Sequence, residues 1–241
     1  MPGINEDLLR VLAALHGQGG DASVTVRAGE GRRVLHFSRG YLVSGGSNFK
    51  SERLGDVLAT LGKLDPVLIE PVAAEAKRKG RLLGDQLLAD RLLKPDELVG
   101  ALEQQCLFRF QHAFMMEGAV DVGPKAAIQP ALHRQLGALV VATFREKLPF
   151  DAVERFLANR SGNATHGKLG ADLLDRLELL PAELRICRRL AAGEPLHRVR
   201  TDAAASEQVA RMAGALKALE LWTPGASDAD QTASGTTYTW S

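Results

Sequence analysis

Arg53-Leu54-Gly55-Asp56-Val57-Leu58-Ala59 is answered 29 positions later by Leu82-Leu83-Gly84-Asp85-Gln86-Leu87-Leu88. The first stretch continues through Leu64-Asp65-Pro66 to Ile69, Val72 and Ala73, and the second through Leu93-Lys94-Pro95 to Leu98, Ala101 and Leu102. Leucines, glycines, aspartates and prolines coincide at one offset without a gap, so residues 53–76 and 82–105 are two copies of one unit. A unit of this kind cannot bury its own apolar face and must pack on a neighbour. Two copies fall short of a solenoid, which leaves a compact helical pseudo-dimer with two short helices per copy. Lys94-Pro95-Asp96-Glu97 places proline at the first turn of a helix, with acids near its positive end.

Outward from the repeat, the signals change period. Asn5 is an N-cap candidate for a helix carrying Leu8, Leu9, Leu12 and Leu15, ended by Gly17, Gly19 and Gly20. Ser23–Val26, Arg33–Phe37 and Gly40–Ser44 read as strands joined by Gly29-Glu30-Gly31 and Ser38-Arg39-Gly40. A hairpin of this size is marginal alone, so the first helix is expected to cover one face of the sheet. Gly118–Val122 reads as a short strand able to return to it, after a helix running from Pro95 to about Met116. Pro124 and Pro130 bracket a linker, a helix is expected from about Ala131 to Glu146, and Pro149 starts another through Leu157. Helices follow at about 181–192, 196–204 and 206–221, an order resembling the helical part of a winged-helix domain without its wing.

The fold class is therefore α+β: a small antiparallel sheet packed with a tandem helical-pair repeat, then an all-α winged-helix-like bundle. The expected division is 1–124 for the α+β module, 125–160 for a helical connection, 161–222 for the bundle and 223–241 for a disordered tail. The best boundary falls at Asn159–Asn163, and the tail is rich in Thr, Ser, Gly, Ala and Asp without Lys or Arg.

Thirty basic and 29 acidic residues leave a net charge of +1, which supplies no bulk attraction to nucleic acid or an anionic membrane. No apolar run approaches the ~20 residues of a membrane span, and the N-terminus lacks the features of a secretory signal. Cys106 and Cys187 each sit in an apolar helical pattern and read as buried thiols in a reducing compartment. The expected location is the cytoplasm.

Two resemblances meet in this chain. The copy beginning Arg53-Leu54-Gly55 resembles the tandem motif in N-terminal domains of type II secretion and type IV pilus assembly ATPases, and Lys77–Arg81 has the length of that family's spacer. Residues Leu8–Ser47, with the turn Phe37-Ser38-Arg39-Gly40-Tyr41-Leu42-Val43 and the later Phe114-Met115-Met116-Glu117-Gly118, resemble the PatA N-terminal-like (PATAN) domain, domain of unknown function 4388. That resemblance implies a bacterial regulatory module acting through protein contacts. Some members of the ATPase group bind cyclic di-GMP, which implies Arg53, Gly55, Gly62, Gly84 and Gln105 as candidate nucleotide contacts. The pattern is incomplete: Ala76 stands where the first terminal Gln belongs, Leu82 replaces the second Arg, and Arg91 replaces the second inner Gly.

No catalytic set converges in the sequence. The six histidines show no metal-ligand spacing, and no nucleophile elbow, phosphate-binding loop or dinucleotide turn is present. Asp56 and Asp85 fall in the first turn of their helices, where the dipole explains them. Phe108, Phe110, Phe114, Met115 and Met116 read as core. Arg185, Arg188, Arg189, Arg198 and Arg200 form a basic cluster, but residues 181–222 hold seven basic and five acidic residues, a small excess for a DNA reader. The expectation is a non-catalytic signalling adaptor without cofactor or metal, with a cyclic di-GMP sensor as one alternative and DNA binding by the C-terminal helices as another.

Overall fold

The structure is a computed structural model, described for residues 3–128, 130–159, 171–201 and 205–224. The fold is α+β. In chain order it forms α1 (Glu6–Gln18), β1 (Ala22–Ala28), β2 (Gly31–Ser38), β3 (Tyr41–Ser47), a 3-10 turn (Lys50–Glu52), α2 (Leu54–Thr60), α3 (Pro66–Arg78), α4 (Leu83–Ala89) and α5 (Pro95–Ala113). It continues with β4 (Ala119–Gly123), β5 (Arg134–Gln135), α6 (Leu136–Glu146), α7 (Phe150–Ala158), α8 (Ala171–Asp175), α9 (Pro181–Ala191), α10 (Leu196–Val199) and α11 (Ser206–Ala218).

The chain divides into two compact units, one spanning Asp21–His133 and the other joining residues 1–20 to those from Arg134 onward. This differs from the expected 1–124 module. Helix α1 buries Leu8, Leu9, Leu12 and Leu15 and packs on α6 and α11, so it belongs with the C-terminal helices. An amphipathic stripe says that a helix must be covered, not by what. Helices α6 and α7 likewise belong with α9–α11 rather than to a separate connection over 125–160. The expected boundary, apart from Asn159, and the tail beyond Pro224 lie outside the described residues.

In the Asp21–His133 unit, four strands pair antiparallel in the order β4-β1-β2-β3. Alternation along β1 and β2 turns Val24, Val26, Leu35 and Phe37 inward, all fully buried, and leaves Ser23, Thr25 and His36 on the opposite face. Register places Arg33 opposite Val26, hence on the inner face with them. Helix α5 packs against β2 and β3, and its Phe110 meets Phe114 edge-on at 5.2 Å in the core. It ends at Ala113, short of Met116, as Phe114 caps it. The returning strand forms as expected, β4 pairing with β1 from Ala119 to Gly123. The helix expected from Ala131 begins at Leu136, because the N–H groups of Ala131 and Leu132 both donate to the carbonyl of Val43.

The other unit is organised around α11, which contacts α6, α7, α9, α10 and α1. Its small residues allow this: Ala210, Ala213, Gly214, Ala215 and Ala218 are all buried. At Gly214 a Cβ would stand 2.8 Å from the Phe144 ring, so the α6–α11 approach requires glycine.

Candidate functional site

The two repeat copies fold alike. Helices α2 and α4 occupy the same seven positions 29 residues apart, and α3 and α5 begin at Pro66 and Pro95. Their shared core pairs equivalent residues: Leu58 with Leu87, Leu64 with Leu93, and Val72 with Ala101, ringed by Leu54, Leu83, Ile69 and Leu98. The contacts are reciprocal. A Cβ on Gly55 would lie 2.6 Å from Ile69 and 3.6 Å from Leu83; one on Gly84 would lie 3.1 Å from Leu98 and 3.6 Å from Leu54. Each copy closes the other's core about a local two-fold axis, as in an isologous dimer. Even the backbone repeats: Gly62 has φ +65° and Arg91, its counterpart, φ +54°.

The candidate nucleotide contacts fall into three environments. Arg53 is exposed at the N-cap position of α2, and Gly62 is exposed at the turn after it. Gly55 and Gly84 are buried in the helix crossing. Gln105 is buried and donates through Nε2 to the carbonyl of Glu52 at 2.8 Å.

That carbonyl belongs to the most concentrated polar cluster in the unit. The 3-10 turn carries Glu52 inward until it is 1% exposed. Arg33, on the inner face of β2, donates from Nε at 3.0 Å and from Nη2 at 2.7 Å to Glu52 Oε1. His112 of α5 donates from Nδ1 to the same oxygen at 2.8 Å, and Arg109 Nη2 reaches the Glu52 carbonyl at 3.0 Å. The Arg33 guanidinium also lies 4.1 Å from the centre of the Phe49 ring. Burial pushes the Glu52 carboxyl up, but hydrogen bonds from His112, Arg33 and Ser47, with the Arg33 charge, outweigh it and hold it down to about 2. The cluster ties β2, β3's exit and α5 together; each of its members is engaged within the fold. No periodicity marked Glu52, but Arg33 shares the parity of Leu35 and Phe37, a signal that it turns inward.

Other reactive groups are also committed to structure. Burial pushes the Cys106 and Cys187 thiols up to about 12, far from thiolate reactivity. In the helical unit the cations of α11 turn inward: Arg211 Nη1 donates to the carbonyls of Phe144 (2.8 Å) and Leu148 (2.9 Å) at the end of α6. Lys217 Nζ caps α7 through the carbonyls of Phe156 and Asn159. Arg189 pairs with Glu194, and Arg200 with Glu154 at 2.9 Å. The third helix of this array is thus the packed centre of the bundle and offers little outer face.

What remains unaccounted for is apolar and exposed. In the repeat, Val67 is 77% and Leu82 76% exposed, with Leu68 and Leu92 at 39% each and Val99 at 59%. The 29-residue offset pairs every one of these with a charge: Asp96, Arg53, Glu97, Lys63 and Glu70, respectively. The two copies share a core but not a surface. Among the described residues no helix is long and apolar enough to cross a membrane. Comparison of the chain with family models, with curated proteins and with solved structures finds no match.

Proposed function

We propose that this protein is a non-catalytic bacterial signalling or regulatory adaptor that works through protein–protein contacts. The observation that carries the reading is the broken surface symmetry of the repeat, where exposed leucine and valine stand at positions that are charged in the other copy. Large exposed apolar side chains at Val67 and Leu82 cost solubility and contribute nothing to the shared core, so their use lies outside it. The resemblance to PATAN modules supports the same class. The commitment of Glu52, Arg33 and His112 to internal hydrogen bonds supports a scaffold in which these groups hold the fold.

Affinity capture with the full chain from its native organism, read by mass spectrometry, tests this together with calorimetric titration of cyclic di-GMP. Specific enrichment of a protein and no heat from the dinucleotide is the expected result. Saturable dinucleotide binding abolished by Arg53→Ala, with no protein enriched, would replace the adaptor by a nucleotide sensor.

A further inference from the structure

We propose that the outer face of α3 and α4 docks an acidic amphipathic helix of a partner protein, an inference that rests on the adaptor reading and gives it a site and a ligand chemistry. Leu82 at the N-cap of α4, Asp85 and Ala89 on the helix and Leu92 past its closing turn form a stripe of exposed positions. The matching stripe on α2 is Arg53, Asp56, Thr60 and Lys63, also exposed. Three of four polar positions have become apolar. Helix α3 adds Val67 and Leu68 beside it, where α5 has Asp96 and Glu97.

The local two-fold axis sharpens the comparison. Lys63 Nζ lies 3.3 Å from Glu97 Oε1, an ion pair bridging the α2 and α5 side of the pseudo-dimer. The axis maps that pair onto Leu92 and Leu68, so the α4 and α3 side carries two half-exposed leucines in place of a closed ion pair. Helix α4 itself, Leu83–Ala89, is about 10 Å long at the helical rise, close to two turns of a partner helix, with Leu82 and Leu92 beyond its two ends. A stripe at i, i+4, i+7 and i+11 on that helix meets such a row.

Charge selects the partner's sign. Lys77 and Arg81 stand at the α3–α4 connection and Arg91 beyond the other end of α4, all exposed and none in an ion pair among the described residues. Lys77 and Arg81 at one end, and Arg91 beside Asp90 at the other, leave a cationic excess that favours carboxylates flanking the bound stripe. Arg91 holds φ +54° where the first copy has Gly62, a backbone conformation that Arg39, Glu178 and Glu220 also adopt. A left-handed backbone costs a side chain of this kind about 1 kcal/mol or more, and glycine would relieve it. The second copy thus places a guanidinium next to Leu92 in a conformation that glycine adopts without strain. Asp85 in the middle of the stripe opposes an anionic lipid surface, and two copies of this face would bring like charges together.

The test uses the full chain and two fluorescein-labelled 16-residue helical peptides, each with leucines at i, i+4, i+7 and i+11. One carries glutamates at the flanking positions and its twin carries lysines. Fluorescence anisotropy should show saturable binding of the acidic peptide alone. Exchanging the stripe for the first copy's residues, Leu82→Arg with Leu92→Lys, should weaken binding at least tenfold without changing the melting temperature. Arg91→Gly should weaken it several-fold while raising the melting temperature, an opposition that a purely structural role for Arg91 would not produce. Equal binding of both peptides, no binding of either, or equal affinity of the exchanged variant would overturn the proposal. So would saturable adsorption to phosphatidylserine vesicles, or dimerisation abolished by the exchange. In cellular capture, a partner retained equally by wild type and the exchanged variant would overturn this face and leave the adaptor reading standing. Capture of no protein would overturn the adaptor reading itself.

Discussion

Replacing Glu52 by glutamine keeps the side chain's shape and one acceptor but removes the negative charge that Arg33 and His112 surround. The magnitude follows from the carboxyl's position. An ordinary glutamate titrates near 4.5, and this one is held down to about 2. At 1.36 kcal/mol per unit, the folded state gains about 3 kcal/mol from the ionised form, near the lower end of the ~3–5 kcal/mol seen when one partner of a buried pair is removed. The sign is fixed by the direction of the shift: the contribution is fully present above pH 4.5 and is lost as pH falls through about 2. Glu52→Gln should therefore lower the melting temperature of the Asp21–His133 unit by roughly 10 °C or more at neutral pH. It should also flatten the acid dependence of stability between pH 4.5 and 2. Two units need not unfold in one transition, so circular dichroism melts should be joined by hydrogen exchange at the amides of β2 and α5. A variant melting within a degree of wild type would refute the claim that Glu52 is a buried, charge-paired keystone. Replacing Arg33 and Glu52 together by methionine should recover much of the loss, since the penalty is an uncompensated charge.

Gly55→Ala would put a methyl 2.6 Å from the branched Cγ2 of Ile69, and should destabilise by about 1–3 kcal/mol in urea unfolding despite alanine's helix preference. Gly84→Ala comes closest to the terminal methyls of Leu98, at 3.1–3.2 Å, with Leu54 at an ordinary 3.6 Å, and should stay within about 1 kcal/mol of wild type. His16 is lowered by burial and by the nearby Arg176, and its Nε2 has no hydrogen-bond partner among the described residues. The helical unit should therefore lose stability as pH falls below 6.5, and a His16→Leu variant should lose that dependence; an unchanged pH profile would contradict it. Arg188→Gln with Arg189→Gln removes two exposed cations and should shift the melting temperature by no more than a degree or two while leaving no duplex-DNA mobility shift to abolish.

The repeat was legible because one offset aligned Leu54 with Leu83, Gly55 with Gly84 and Pro66 with Pro95, and those residue types encode helix starts and close crossings. Strand alternation gave the sheet, and Gly118–Val122 gave its fourth strand. The membership of α1 was not legible, because Leu8, Leu9, Leu12 and Leu15 specify a buried stripe and not the surface that buries it. The Glu52 cluster was hidden for a similar reason: its partners lie 19 and 60 positions away, and a charged residue beside a repeat reads as solvated. The role of α11 is written in Ala210, Ala213, Gly214, Ala215 and Ala218, which are too small and too evenly spread for a helix with a free outer face. The apolar face was present in the sequence as Leu82 replacing Arg; it took the fold to show that the other exchanges lie beside it.

We propose that the α3–α4 side of the repeat presents a protein-binding face that the α2–α5 side does not. Site-specific incorporation of the photo-crosslinking residue p-benzoylphenylalanine at position 82 and, in a separate variant, at its counterpart 53 tests it inside native cells. The expected result is a discrete protein adduct from position 82 and none from position 53. Equal adducts from both positions, or none from position 82 while the protein is folded and expressed, would contradict it.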